Sequence, residues 1–144
     1  TYTADRKHPG LQGPRHWLRS SPDGSRIALL MKDDAGVVQL WTVSPNGGTV
    51  EQLTHNDHDI ASAFTWSPDG RWIAHTMDRS VCVSEVPSGV THRLTPPTDG
   101  AHAPRPEACV FSPDGKHIAF IRPVTSGDET WNQIFLITLE GVHQ

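Results

Sequence analysis

A four-residue segment, Ser-Pro-Asp-Gly, occurs three times in this chain of 144 residues. The copies begin at Ser21, Ser67 and Ser112, so the steps between them are 46 and 45 residues. Proline presets φ at the second position of a tight turn, aspartate bonds the backbone two residues on, and glycine accepts a positive φ. Each copy therefore predicts a tight turn, and the nearly constant step predicts a repeat architecture.

The segments around each turn follow the same order, and we refer to them as the first, second and third unit. A short apolar segment precedes the turn, two segments rich in β-branched and aromatic residues follow it, and an alternating polar and apolar segment ends the unit. Four antiparallel strands in ~40–45 residues make one blade of a β-propeller. The predicted fold class is all-β, with about three blades at residues 14–55, 60–96 and 105–144.

The two ends of the chain look like cuts through a blade. Tyr2-Thr3 holds the place that Leu53-Thr54 and Leu94-Thr95 hold at the ends of their units, so residues 1–13 are predicted to be the tail of a preceding blade and its connector. In the third unit, residues 123–130 are predicted to form a longer loop, and the chain stops at Gln144, where the outer strand is due. We therefore expect a piece of a longer protein with an incomplete last blade.

The composition argues against two classes of partner. Twelve basic and 16 acidic residues give a formal net charge of −4, without a polybasic run, which disfavours nucleic acid and anionic membrane. No apolar stretch approaches the roughly 18 residues of a spanning helix, so membrane insertion is not expected. Cys82 and Cys109 lie among apolar residues and are predicted to be buried free thiols, with a disulfide or a reactive thiol as the alternative.

Alignment on the turns gives one candidate binding site. The residues five before each turn are His16, Ser62 and Glu107, and Arg15 and Asp59 are their neighbours in sequence. Because the innermost strand of each blade lines the channel of a propeller, these five side chains are predicted to converge at one mouth. Acid, base and cation together suit a small polar ligand or a peptide end. Solvated channel lining without a ligand is the alternative.

The segment from residue 55 to 59 is the densest polar cluster, and its histidines are weak candidates for metal ligands. His55 and His58 stand beside carboxylates, and imidazole with carboxylate can bind a divalent metal. The spacing matches no established metal motif, so a solvated loop is the alternative and no cofactor is predicted. The sequence also lacks a GxSxG elbow and a glycine-rich phosphate loop, so no catalytic residue is assigned.

The segments Trp66–Ala74 and Phe111–Ala119 resemble the WD40-like repeats of the TolB propeller. That resemblance implies the fold but not an activity, since similar blades occur in TolB, in prolyl oligopeptidase-type hydrolases and in oligogalacturonate lyases. A closer resemblance, in Pro14–Trp17, Met31–Trp41 and Gln52–Asn56, is to the C-terminal part of the YidR-like family of uncharacterised bacterial proteins.

Together these features favour a scaffold that binds a protein or a small polar ligand, with no catalysis in this chain. The alternative is the propeller part of an enzyme, either a metal-dependent lyase or the non-catalytic domain of a peptidase. A homodimer that pairs two half-propellers is a further hypothesis, because three blades leave two apolar faces and unpaired strand edges. The sequence leaves the bacterial compartment open between periplasm and cytoplasm.

Overall fold

The computed structural model describes residues 18–61, 63–106 and 109–139, and it contains eleven strands in three antiparallel sheets. The strands of the first unit are β1 (Leu18–Ser20), β2 (Ile27–Lys32), β3 (Val38–Val43) and β4 (Glu51–Gln52). Those of the second unit are β5 (Thr65–Trp66), β6 (Trp72–Met77), β7 (Ser80–Glu85) and β8 (Thr91–Arg93). Those of the third unit are β9 (Cys109–Phe111), β10 (His117–Ser126) and β11 (Glu129–Thr138).

Each sheet is a meander in which consecutive strands are neighbours. The first two sheets have four strands each, and the described residues of the third have three. The second and third strands pair in all three sheets. The residue that lies nine positions after the serine of each turn has its partner on the third strand: Leu30 pairs with Leu40, Thr76 with Val81, and Ile121 with Ile134. No helix with the length and apolarity needed to span a bilayer occurs in the described part of the chain.

The Ser-Pro-Asp-Gly turns have the predicted structure. In the first turn the Asp23 carboxylate accepts hydrogen bonds from the Ser21 hydroxyl at 2.8 Å and from the Ser25 backbone N–H at 2.9 Å. The same pair of bonds recurs in the other two turns. Each turn glycine has φ of 73°, a conformation that L side chains resist. The hydrogen bonds from Ser25 and Ser21 lower the pKa of Asp23 to about 2. The turn aspartates thus stabilise the local backbone conformation.

The prediction of a long loop between residues 123 and 130 is wrong. β10 and β11 continue through this segment to a turn at Gly127 and Asp128, where Gly127 has φ of 61°. Pro123 does not interrupt β10, because β9 pairs with β10 only from residue 118 to 120. The Ile121 carbonyl on that side accepts from the Arg105 N–H, and Pro123, two residues on, points its nitrogen to the same side, away from β11. The missing donor therefore costs the β10–β11 ladder nothing.

The core lies between the sheets. One apolar cluster joins the first and second units and includes Leu30 and Leu40 facing Phe64 and Ile73. A second cluster joins the second and third units through the strands β6, β7, β9 and β10. Cys82 and Cys109 are buried and free, as expected, and burial raises the pKa of the two thiols to about 11 and about 12.

Candidate functional site

The two connectors between units are fastened to the third strand of the sheet they leave. At the first connector, the Leu53 N–H donates to the Leu40 carbonyl at 2.8 Å, and the Leu40 N–H donates to the Thr54 hydroxyl at 3.0 Å. The second connector repeats both bonds: Leu94 donates to Val81 at 2.8 Å, and Val81 donates to the hydroxyl of the next threonine at 2.9 Å. A threonine hydroxyl thus replaces a backbone acceptor where the outer strand leaves the ladder.

Beyond Thr54, side chains continue the pairing along β3. The buried Gln39 amide accepts from the Thr54 hydroxyl at 2.8 Å and from the Asn56 N–H at 3.1 Å, and its nitrogen donates to the Asn56 carbonyl at 2.7 Å. The connector is therefore rigidly positioned although it is not a strand. The exposed His55 and Asp57 consequently stand on a fixed backbone.

We call the surface formed by the connectors 53–61 and 94–106 and the turns at 33–37 and 78–79 the connector end. Of the five side chains predicted to converge there, Asp59 alone falls within the described residues. Its carboxylate accepts a hydrogen bond from the Val38 N–H at 2.8 Å, at the first residue of β3. Arg15, His16, Ser62 and Glu107 lie outside the described residues, so their convergence with Asp59 remains a prediction.

The inner edge of the second unit is distorted just after Asp59. Ile60 pairs with Met77, whereas Thr65 pairs with Ala74, so this segment holds two residues more than the strand opposite it. Within it, Ala63 has φ of 65°, a left-handed conformation that costs a non-glycine residue about 1–2 kcal/mol. Bulges of this kind re-aim side chains at the ends of strands. The sequence contains no glycine that would have indicated it.

An ionic cluster that the sequence did not predict lies on the turn between β6 and β7. Asp78 accepts from the Arg93 guanidinium at 2.6 Å, and the imidazole of His58 stands 3.5 Å from the same carboxylate oxygen. The hydrogen bond from Arg93 is the main cause that lowers the pKa of Asp78, and the charge of His58 contributes. Asp78 thereby joins the first connector to the second unit.

Arg79 is the second residue of the same turn, and its side chain is exposed. Asp78 and Arg79 have φ of 47° and 63°, as a two-residue hairpin turn requires. The side chain of Arg79 is about half exposed, and its Nε lies 4.0 Å from Asp78, beyond hydrogen-bonding distance. An adjacent acid and base in a short hairpin turn was the signal available in the sequence.

The predicted metal ligands do not form a metal site with the residues described. His55 is exposed, and His58 is paired with Asp78. Across the ranges 18–61, 63–106 and 109–139, no three histidine, cysteine, aspartate or glutamate side chains are grouped closely enough to hold a metal ion. The donor set at His58 and Asp78 is one ligand short of the three that a protein metal centre commonly supplies.

Two further polar features lie away from the connector end. The buried imidazole of His75 contacts the Ser84 hydroxyl at 2.8 Å, its Nδ1 has no partner, and burial lowers its pKa to about 4. This pair is closed to substrate by the surrounding sheets. A surface cavity of about 300 Å³ lies at the opposite end of the first sheet, where Arg26 donates to the Thr42 hydroxyl at 3.2 Å and Glu51 forms part of the lining.

The sequence from residue 38 to 135 matches the family described as the dipeptidyl peptidase IV (DPP IV) N-terminal region. The chain belongs to this family. The uncharacterized protein YidR of Escherichia coli (strain K12) is 45% identical over 132 residues, which cover 91% of this chain and 30% of that protein. The chain thus spans about a third of the length of this relative.

Solved structures confirm the all-β propeller fold. A putative TolB from Agrobacterium tumefaciens matches with a TM-score of 0.65 and 22% identity, over 92% of this chain and 48% of that one. An oligogalacturonate lyase in complex with manganese matches with a TM-score of 0.59 and 14% identity, over 72% of this chain and 27% of that one. The predicted resemblance to TolB-type repeats and to YidR-like proteins is therefore confirmed, while propellers of this kind carry different activities.

Proposed function

We propose that this chain is the binding part of a TolB-type propeller, and that its connector end takes the carboxylate end of a peptide or a small polar ligand. The observation that carries the proposal is Arg79, whose side chain is about half exposed at the tip of the β6–β7 hairpin beside the fastened connector. A planar guanidinium pairs with a carboxylate through two parallel hydrogen bonds. Asp59 and His58 on the adjacent connector would provide an acid and a base for the polar remainder of the ligand.

The fixed backbone supports binding more than catalysis. The connector is held by Thr54, Gln39 and Asp59, so its polar side chains lose little conformational freedom when a ligand arrives. The one arrangement of hydroxyl, imidazole and carboxylate noted among the described side chains joins Thr125 to His102 at 3.2 Å and His102 to Asp99 at 2.9 Å, and both contacts are exposed to solvent. A surface of this kind can bind a polar ligand through side chains that stand on a fixed backbone.

The test uses trialanine and its carboxy-terminal amide as probes, with the binding mapped by heteronuclear NMR. Trialanine is expected to shift the amide resonances of residues 57–60 and 78–79, and the amide form is expected to bind at least about tenfold more weakly, since it lacks the charge that Arg79 would pair. Arg79→Ala should weaken the binding of trialanine by a similar factor. Arg71→Ala is the matched control, because Arg71 is similarly exposed but directly follows a Ser-Pro-Asp-Gly turn, away from the connector end.

Equal binding of both probes, or shifts confined to the cavity beside Arg26, would refute the assignment. The competing enzyme reading, a metal-dependent lyase like the manganese-bound neighbour, is tested on the same protein with Mn²⁺ followed by elemental analysis. Stoichiometric manganese that is lost in His16→Ala or His55→Ala would favour the lyase. The propeller part of a peptidase would bind trialanine as proposed and would need a catalytic domain outside this chain.

A further inference from the structure

The first two units carry different side chains at three equivalent positions near the Ser-Pro-Asp-Gly end of the sheet. On the third and fourth strands, Thr42 pairs with Glu51 in the first unit, and Val83 pairs with His92 in the second. Thr42 lies two residues after Leu40, which is buried against the second unit, and Val83 is buried against the third. Both pairs therefore stand on the face that their unit turns toward the next one.

The third of these positions lies five residues after the serine of the turn, where the first unit has Arg26 and the second has Trp72. Trp72 is only 5% exposed, and its ring meets the His92 ring edge-on at a centroid distance of 5.8 Å. Trp72 therefore fills the space beside Val83 and His92. In the first unit the equivalent space is the cavity of about 300 Å³, because the side chain of Arg26 bonds Thr42 instead of filling it.

Hydroxyl groups and two opposite charges line this cavity. Thr42 is 3% exposed, and its hydroxyl accepts a hydrogen bond from Arg26 Nη1 at 3.2 Å. Glu51 stands opposite Thr42 on the neighbouring strand, so the guanidinium and the carboxylate belong to residues on either side of that hydroxyl. Among the described residues these two charges do not form an ion pair with each other. The other hydroxyl residues of the lining are Ser25, Ser44 and Thr49.

This lining suits a ligand whose polar groups are hydroxyls. A carboxylate only accepts hydrogen bonds and a guanidinium only donates them, whereas each hydroxyl of a ligand can do both. A simple anion would be repelled by Glu51, and a simple cation would be repelled by Arg26. The two charges of an α-amino acid are attached to one carbon atom, whereas Arg26 and Glu51 stand on either side of β3, and neighbouring strands lie about 4.8 Å apart.

We propose that this cavity binds a neutral monosaccharide, whose hydroxyls donate to Glu51 and accept from Arg26 while Thr42 bonds the group between them. The site lies at the end of the sheet opposite the connector end, so it does not rest on the function proposed above. Its volume is that of a small ligand site and suits one sugar ring. The residues that line it include no aromatic ring on which a sugar could stack, so we expect a dissociation constant of roughly 1–10 mM.

Titration with the methyl glycosides of glucose, galactose and mannose, followed by heteronuclear NMR, tests the site. These probes are uncharged and do not react with lysine. At least one of them, at up to about 50 mM, should cause saturable shifts of the amides of residues 25–26, 42–44 and 47–51. The amides of residues 57–60 and 78–79, at the connector end, should not move. β-Alanine is the zwitterionic comparison and should cause no saturable shift.

Three variants separate the contributions to this site. Arg26→Trp should fill the cavity as Trp72 does in the second unit, and so weaken binding at least about tenfold. Thr42→Val removes one hydrogen bond and should weaken it about fivefold. Glu51→Gln keeps the size of the side chain but replaces a charged acceptor, and should weaken it about tenfold. Lys116→Ala is the matched control, because Lys116 is exposed at the same end of the third unit, and it should bind like the wild type.

The urea midpoint of each variant checks that the protein has folded, and if Arg26→Trp does not fold, the other two variants decide. The proposal is overturned if none of the three glycosides causes saturable shifts, or if β-alanine binds as well as they do. It is also overturned if Thr42→Val and Glu51→Gln fold and bind the glycoside like the wild type. Shifts confined to the connector end would show that the sugar binds elsewhere.

Discussion

The hydroxyl of Thr54 is the contact on which the first connector depends most, and Thr54→Val tests this without changing the size of the side chain. Thr54, Gln39 and Leu40 are all fully buried. Valine leaves the Leu40 N–H without its acceptor and removes one of two donors to the Gln39 oxygen, since Asn56 still donates at 3.1 Å. An orphaned buried donor costs about 1–3 kcal/mol and the second lost bond about 1 kcal/mol, so the free energy of unfolding should fall by about 2–4 kcal/mol.

Urea denaturation followed by tryptophan fluorescence measures this change. With a slope of about 1–3 kcal/mol per molar urea, the midpoint should fall by roughly 1–2 M while the slope is unchanged. Thr95→Val removes the equivalent bond from the Val81 N–H, but Thr95 has no counterpart of the bond from Thr54 to Gln39. We therefore expect the free energy of unfolding to fall by about half as much. Thr49→Val, at an exposed position, is the control and should change the free energy of unfolding by less than about 0.5 kcal/mol. If Thr54→Val is as mild as this control, the hydroxyl does not fasten the connector.

Three further predictions concern Gly89, His75 and the two cysteines. Gly89→Ala should lower the free energy of unfolding by more than about 3 kcal/mol, because the added carbon would overlap the backbone carbonyl of Leu53. Gly24→Ala is the control: its added carbon meets open space, so it should cost only about 1–2 kcal/mol for the positive φ. Equal costs for the two variants would contradict this. Burial lowers the pKa of His75 from 6.5 to about 4, so between these pH values the unfolded chain binds more protons than the folded one. The folded state should therefore lose about 3 kcal/mol of unfolding free energy as the pH falls from 6.5 to 4 and keep its full stability above pH 6.5. A His75→Gln variant that keeps the full wild-type pH dependence of urea unfolding would disprove this. Cys82 and Cys109 should react with a disulfide reagent only at the rate of unfolding, since their raised pKa values leave little thiolate; labelling that is fast in native protein would exclude this.

The sequence was informative wherever the backbone conformation depends on residue type. A turn with Pro, Asp and Gly can be recognised from its sequence, because each residue has a separate physical role in it. The strands lie at fixed distances from this turn and could therefore be predicted as well. Tertiary position decides other cases. Pro123 ends a strand unless its nitrogen faces an edge that no strand pairs with, and Ala63 avoids a left-handed φ unless its neighbours impose it. Neither condition is visible from the local sequence.

The same distinction separates structural from functional positions in this chain. Residues that recur between the described units, such as the turn aspartates and the connector threonines Thr54 and Thr95, accept equivalent hydrogen bonds each time. A ligand must instead be recognised by what differs between units, because identical positions on successive blades would offer it the same contact in several places. At the connector end the differing positions are Asp59, the pair Asp78 and Arg79, and the predicted set of His16, Ser62 and Glu107. Exchanging Asp78-Arg79 for a neutral Asn-Gly turn, which preserves the hairpin, should therefore weaken the binding of trialanine at least about tenfold, while the urea midpoint changes little beyond the loss of the contacts of Asp78 with Arg93 and His58.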